Sequence, residues 1–255
     1  MANLRIVGNG GQIMNMTSDW FLELAPMQTR NRAEEAVYLD GAQNIGVNRY
    51  NSLTVKMKSG FFKYITGGKT VEDRYSEVLS FLRDYAPFKI YEIGLGRDNR
   101  FLDECFLGSG MGDVVRRVDL ARSFEFDIIA LNPFWLEPAT QYSGTWANMA
   151  ETILSNTGDY ETYPVFEITA TTSTPTLKLI NLSDQNRRCE VNYPFFNTGD
   201  IMTIDSYNNR VIVNSIDVSE YCNGNFLRFL KGTNNIKYLG QTVNIKTDWY
   251  IRRTY

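Results

Sequence analysis

The chain contains no histidine, and that decides most of what its side chains can do chemically. Without imidazole there is no Ser–His or Cys–His nucleophile–base pair, and the commonest zinc ligand is missing. What remains for catalysis is a pair of carboxylates, the requirement of glycoside hydrolysis. Asp103-Glu104 and Asp113 are the candidates, but neither stands in a diagnostic spacing, and surface charge on loops is the simpler account. Asp200 and Asp205 raise a calcium reading, which needs several oxygen ligands at short regular intervals. Here Asp205 falls in an alternating run and Asp200 follows Gly199, so turn and strand-end roles are expected. Gly108-Ser109-Gly110-Met111-Gly112 has the glycines of a phosphate-cradling loop, yet no Lys-Ser/Thr follows and no parallel βα unit surrounds it. Trp249 and Tyr250 offer a platform for sugar, although such residues more often pack a sandwich edge or an interface. Cys105, Cys189 and Cys222 show no paired spacing, so free thiols with a packing role are expected. No catalytic, cofactor-binding or metal-binding residue is assigned.

The elements that would position any site are mostly strands. Phe195 to Val213 reads as one β-hairpin. Met202 and Ile204 share one face of the first arm, Val211 and Val213 one face of the return, and Tyr207-Asn208-Asn209 forms the turn, because asparagine tolerates the positive φ of tight hairpins. Further turn signals stand at Asn197 to Asp200, Asn223-Gly224-Asn225 and Lys231 to Asn235. Turn clusters at this spacing predict an antiparallel sandwich. Earlier strands are expected at Leu4 to Val7, Trp20 to Leu24, Asn51 to Lys58, Phe88 to Leu95, Phe101 to Leu107, Val114 to Leu120 and Ser123 to Leu131. Tyr38 to Gly46 carries a turn at Asp40-Gly41, and Gln28 to Glu35 is a loop or projecting arm. One helix is expected over about 70–85, with Thr70 as N-cap, an apolar stripe at Val71, Tyr75, Val78, Leu79, Leu82 and Tyr85, and Pro87 as the stop.

The 255 residues accommodate two ordinary domains, and 43% hydrophobic content suffices for real cores. A domain is expected over 1–136, closed by Asn132-Pro133-Phe134-Trp135. A linker is expected over 137–158, a mixed stretch bearing Gly, Thr, Asn and Ser, with Tyr142 and Trp146 as packed aromatics. A second domain follows over 159–255, with strands at Tyr163 to Ile168, Leu177 to Leu182, Cys189 to Tyr193 and Val243 to Trp249. The net charge of −3 leaves no basic surplus for phosphates, so no nucleic-acid specificity is expected. Arg116-Arg117, Arg187-Arg188 and Arg252-Arg253 read as local ion pairs or a solvated face. No apolar run is long enough for a membrane span. Met1 to Arg5 shows no signal peptide, so the chain is expected to remain in the cytoplasm where it is made.

The ordered series NTGDIMTIDSYNNRVIVNSIDV, GNFLRFLKGTNNI and a closing Trp249-Tyr250 resembles the C-terminal domain of distal tail proteins, from the long non-contractile tails of phages infecting Gram-positive bacteria. Gly199-Asp200, Ile204-Asp205, Val211 to Val213, Phe226, Leu230 and Gly232-Thr233-Asn234 carry the likeness. Tyr163-Pro164-Val165 and the step into Pro133-Phe134-Trp135 extend it. The resemblance implies a mainly β chain: an N-terminal β-sandwich-like domain with one α-helix, then a galectin-like β-sandwich. It implies a structural role without cofactor or enzymatic activity. The chain would be a homo-hexameric ring in the virion tail, joining the tail tube protein, the tail-tip protein and receptor-binding or baseplate proteins. Two other readings stand beside it: a module holding cell-wall saccharide, and a tail-tip glycosidase. The galectin sugar site needs a His-x-Asn-x-Arg run that a histidine-free chain cannot supply, so no galactoside binding through that site is expected.

Overall fold

The computed structural model describes residues 3–16, 20–24, 53–62, 71–93, 100–108, 115–118, 121–139 and 141–253. The stretches 28–35 and 38–46, the N-cap Thr70, residues 109–112 of the glycine loop and Asp113 lie outside them. Two compact units divide the chain, Met1–Trp135 and Leu136–Tyr255.

The first unit is built on β1 (Asn3–Val7), β2 (Ile13–Asn15), β3 (Trp20–Leu24), β4 (Leu53–Phe62), α1 (Val71–Asp84), β5 (Phe88–Ile93), β6 (Phe101–Leu107), β7 (Val115–Val118) and β8 (Ala121–Ala130). The strands form an antiparallel sheet in the order β2-β1-β5-β6-β8-β4-β3, with β7 also paired to β8. Its longest ladder joins β4 to β8, from Leu53↔Ala130 to Phe62↔Ala121. The period of two along β4 is the reason: Leu53, Val55 and Met57 are buried while Thr54 and Lys56 are exposed. On the outer face Glu125 takes Lys56 at 2.5 Å and Lys58 at 3.6 Å. The Lys56 hydrogen bond holds the Glu125 carboxyl below its ordinary range. The helix buries Val78, Phe81 and Leu82, and Tyr75 stacks on Phe126 of β8 with ring centroids 5.2 Å apart. The stripe read from sequence passes over Phe81 and includes Tyr85. Tyr85 sits beyond the helix end, with its ring tilted against Phe81.

The second unit is a two-sheet sandwich. From Trp135 on, the strands are β9 (Trp135–Pro138), β10 (Tyr142–Trp146), β11 (Glu151–Asn156), β12 (Val165–Ala170), β13 (Leu177–Asn181), β14 (Arg187–Val191), β15 (Ile201–Asp205), β16 (Arg210–Val213), β17 (Ile216–Asp217), β18 (Cys222–Gly224), β19 (Gly232–Leu239), β20 (Val243–Asp248) and β21 (Tyr250–Arg253), of which β9 and β21 pair with each other outside the two sandwich sheets. One sheet runs β10-β20-β12-β15-β16-β17, the other β11-β19-β13-β14-β18. Inward positions alternate along every long strand: Phe166 and Ile168, Met202 and Ile204, Val211 and Val213, Leu177 and Leu179, Ile236 and Tyr238 are all buried. The expected hairpin has its expected face, with Met202 opposite Val213 and Ile204 opposite Val211. Asn209 supplies the positive φ, at 54°. A second, tighter turn follows: Asn214 and Ser215 both have φ > 0 and join β16 to β17 as a two-residue hairpin loop.

Residues 137–158 are not a linker. They hold β10, paired with β20 from Tyr142↔Thr247 to Trp146↔Val243, and β11, paired with β19 from Glu151↔Lys237 to Asn156↔Gly232. Glycine and hydroxyl residues hid them, for a physical reason. On β10 a Cβ at Gly144 would lie 2.5 Å from the Tyr142 hydroxyl, so only glycine lets the tyrosine pass to its bond with Trp146 Nε1 at 2.8 Å. Asn223-Gly224-Asn225, expected as a turn, instead starts within a strand: Cys222–Gly224 is an edge strand on β14. A fragment spanning 136–255 is therefore expected to melt cooperatively by circular dichroism. One starting at Asp159, which lacks β10 and β11, should lose that transition; equal melts would mean that those strands do not complete the core.

Candidate functional site

The most constructed polar feature of the described residues lies at one end of the second unit. Asn156, Asn181 and Asn234 sit on inward positions of β11, β13 and β19 and are wholly buried. Asn234 accepts the Leu230 N–H at 2.8 Å and donates to the carbonyls of Leu230 and Gly232 at 2.9 and 3.1 Å. The Asn181 amide donates to the Asn234 Oδ1 at 3.0 Å and to the Arg228 carbonyl at 2.7 Å. Asn156 donates to the Tyr160 carbonyl at 2.7 Å and accepts the Gly158 N–H at 3.0 Å. The segment Arg228 to Leu230 is thus held by amide side chains, and its side chains are placed from there. Phe229 meets Phe166 and Trp249 edge-on. Arg228 forks onto Asp184 at 2.8 and 3.1 Å and reaches Glu161 at 2.9 Å. The Asp184 hydrogen bonds are the largest cause holding the Arg228 guanidinium above its ordinary value. Sequence reasoning missed this cluster. Its signal was present as asparagine in the inward phase of an alternating strand, Leu177-x-Leu179-x-Asn181 and Asn234-x-Ile236-x-Tyr238.

Among the described residues, those singled out for chemistry do not gather into one cluster. Asp103 pairs with Lys89 at 3.2 Å and accepts the Glu104 N–H at 2.9 Å. Asp200 accepts the Asn197 N–H and the Asn214 amide, at 2.8 and 2.7 Å. Asp205 accepts the backbone N–H groups of Tyr207 and Asn208, at 2.9 and 3.0 Å. Both aspartates therefore close turns, the role Asp side chains take when they cap backbone donors. Gly108 donates its N–H to the Asp127 carbonyl at 2.6 Å. Trp249 is buried, its ring 5.2 Å from Phe229, and is not a surface platform. Tyr250 is exposed. Of the basic pairs, Arg116 and Arg117 fall on β7. Arg187 donates to the Phe226 carbonyl at 2.5 Å. Arg252 lies 5.0 Å over the Tyr163 ring, and Arg253 meets Glu137 at 2.9 Å. Cys105 is buried in the first unit, whereas Cys189 and Cys222 stand with their sulfurs 3.2 Å apart.

What the second unit offers a partner is surface. Ile153 on edge strand β11 is 70% exposed and Phe195 64%. Phe195 leans edge-on against Tyr193, which meets Tyr221 in the same way. On the outer face of β10, β20 and β12 lies a shallow cleft of about 300 Å³, lined by Ser143, Thr145, Glu167, Thr169, Asn244 and Lys246 among others. No aromatic ring lines it. No helix of the described residues is long and apolar enough to cross a membrane.

The chain is mainly β, with two units, and its second unit is an antiparallel sandwich whose Asp200 and Asp205 close turns. Residues 157–252 match the family model described as the siphovirus-type tail component, C-terminal domain. In fold the whole chain is similar to the Dit protein (gp 19.1) of phage SPP1, described as a paradigm of the hub adsorption apparatus in phages infecting Gram-positive bacteria. That likeness covers 98% of each chain at a TM-score of 0.63 and 12% identity. A chain of the phage P2 baseplate, in its activated conformation with Ca, aligns over 100% of this chain and 99% of its own, with a TM-score of 0.48 and 10% identity. No curated protein matches in sequence. Residues 157–252 thus carry a siphovirus-type tail component domain, and the chain shares its fold with the SPP1 Dit protein.

Proposed function

We propose that this chain is the ring-forming hub of a siphophage tail tip. Six copies form a closed ring with a central channel, built mainly by the first unit. The tail tube protein and the tail-tip protein dock on its two faces, and receptor-binding or baseplate proteins dock around it. The chain is made in the host cytoplasm, ends in the virion tail and catalyses no reaction. The observation that carries this reading is the match of residues 157–252 to a siphovirus tail component domain. The physical logic is geometric. A heterologous interface repeated by rotation closes into a ring, and rigid sandwiches hold partners in register around it. The second unit is rigid enough for that, with a continuous core from Trp146 to Trp249 and its end fastened by three buried asparagines.

Light scattering of the purified chain is expected to give six times the chain mass, and negative-stain images should show rings with an open centre. Monomer alone at high micromolar concentration, with no ring in images even when the tail-tip protein of the same phage is added, would overturn the reading.

A further inference from the structure

We propose that Cys189 and Cys222 form an oxidisable dithiol, a modification site that closes to a disulfide pinning edge strand β18 to β14. The sulfurs already stand 3.2 Å apart, so bond formation at about 2.05 Å needs an approach of only about 1 Å. The two cysteines are diagonal neighbours, since Cys189 pairs with Gly224 and Val191 with Cys222. Gly224 permits the approach: with φ of 95°, a Cβ there would lie 2.5 Å from the Arg188 carbonyl oxygen. Any other residue would push β18 away from β14 and carry Cys222 with it. The strand that must shift is three residues long and at a sheet edge, where displacement disturbs one ladder only.

The two thiols differ in the way the reaction requires. Cys222 is partly exposed and Cys189 is buried. A hydrogen bond from Cys189 lowers the Cys222 thiol below its ordinary value, while that same contact and burial push Cys189 up. The accessible sulfur is therefore the attacking thiolate and the buried one the resolving group. With a small-molecule disulfide as oxidant, Cys222 loses its proton, attacks one sulfur and expels one thiolate, leaving a mixed disulfide. Cys189 then loses its proton, attacks the Cys222 sulfur and expels the second thiolate. One protein S–S bond replaces one small-molecule S–S bond, and two electrons and two protons leave on two small-molecule thiols. Cys105, buried in the first unit with its thiol pushed up by desolvation, takes no part. Virion surfaces meet oxidising surroundings, so the proposed tail location gives the reaction an occasion. The chemistry itself belongs to the isolated chain and does not depend on ring formation.

The test is a thiol count on the full chain, incubated folded with oxidised glutathione, quenched in acid, and alkylated after denaturation. The wild type should fall from three free thiols to one, with the peptides bearing Cys189 and Cys222 joined within one chain. Its thermal midpoint should rise, because the bond closes a loop in the unfolded chain. Cys222→Ser should keep both remaining thiols under the same treatment. Three thiols remaining in the wild type, a glutathione adduct on Cys222 that never resolves, or a bond between two chains would each overturn the proposal. The wild-type count needs no variant to fold.

Discussion

Replacing Asn234 by leucine is expected to lower the stability of the second unit by about 3–5 kcal/mol, although the new side chain is apolar and enters a buried site. Asn234 is wholly buried and makes four hydrogen bonds, to the Leu230 N–H, the carbonyls of Leu230 and Gly232, and the Asn181 amide. Leucine removes the partner of every one. Each buried donor or acceptor left unpaired costs about 1–3 kcal/mol, while burying the new methyl groups returns about 1.5–3 kcal/mol. The loss wins because several groups are stranded together and the neighbouring Asn181 cannot turn to water. Urea denaturation followed by circular dichroism measures it, as a lower midpoint at unchanged slope. A change below about 0.5 kcal/mol, the range of ordinary surface substitutions, would show that the three asparagines do not hold the Arg228 to Leu230 segment.

Ile204→Ala should cost about 2–5 kcal/mol in the same measurement, from lost burial plus the cavity left behind. Ile204 is 1% exposed and lies opposite Phe166 on one side and Val211 on the other. Its neighbours belong to rigid strands in the middle of the sheet, so the gap closes poorly and the upper part of the range is favoured. Ile201→Ala is the matched control: three residues earlier the phase is reversed, the side chain is 44% exposed, and a change within about 0.5 kcal/mol is expected. Equal losses at the two positions would mean that the hairpin does not bury one face selectively.

Those two positions also mark the limit of what the sequence discloses. The Ile204 face is legible because a period of two is local: four residues reveal it, and Met202, Ile204, Val211 and Val213 all face inward as read. The helix is legible for the same reason, through its period of 3.6. The Asn234 cluster is not legible in that way, because its members lie on three strands far apart in the chain and only pairing makes them neighbours. β10 and β11 were lost to composition. Gly144 looks like a breaker until the Tyr142 ring is seen to occupy the space a side chain would take. Cys189 and Cys222 look unrelated in sequence because 33 positions separate them, a spacing without meaning until β18 is laid along β14. The candidate chemistry fared the other way. Turn roles for Asp200 and Asp205 follow from adjacent residues, and the turn-closing bonds from Asn197, Tyr207 and Asn208 are local.

The lengths of the outermost strands have a consequence for crowding. At one margin of the sandwich the sheets end in β17 and β18, of two and three residues. A foreign strand docks by threading a row of unsatisfied N–H and C=O groups, and so short a row gives it almost nothing to hold. Edge-to-edge fusion of sheets is therefore disfavoured through β17 and β18. A contact made at that margin would use side chains and loops rather than a backbone ladder.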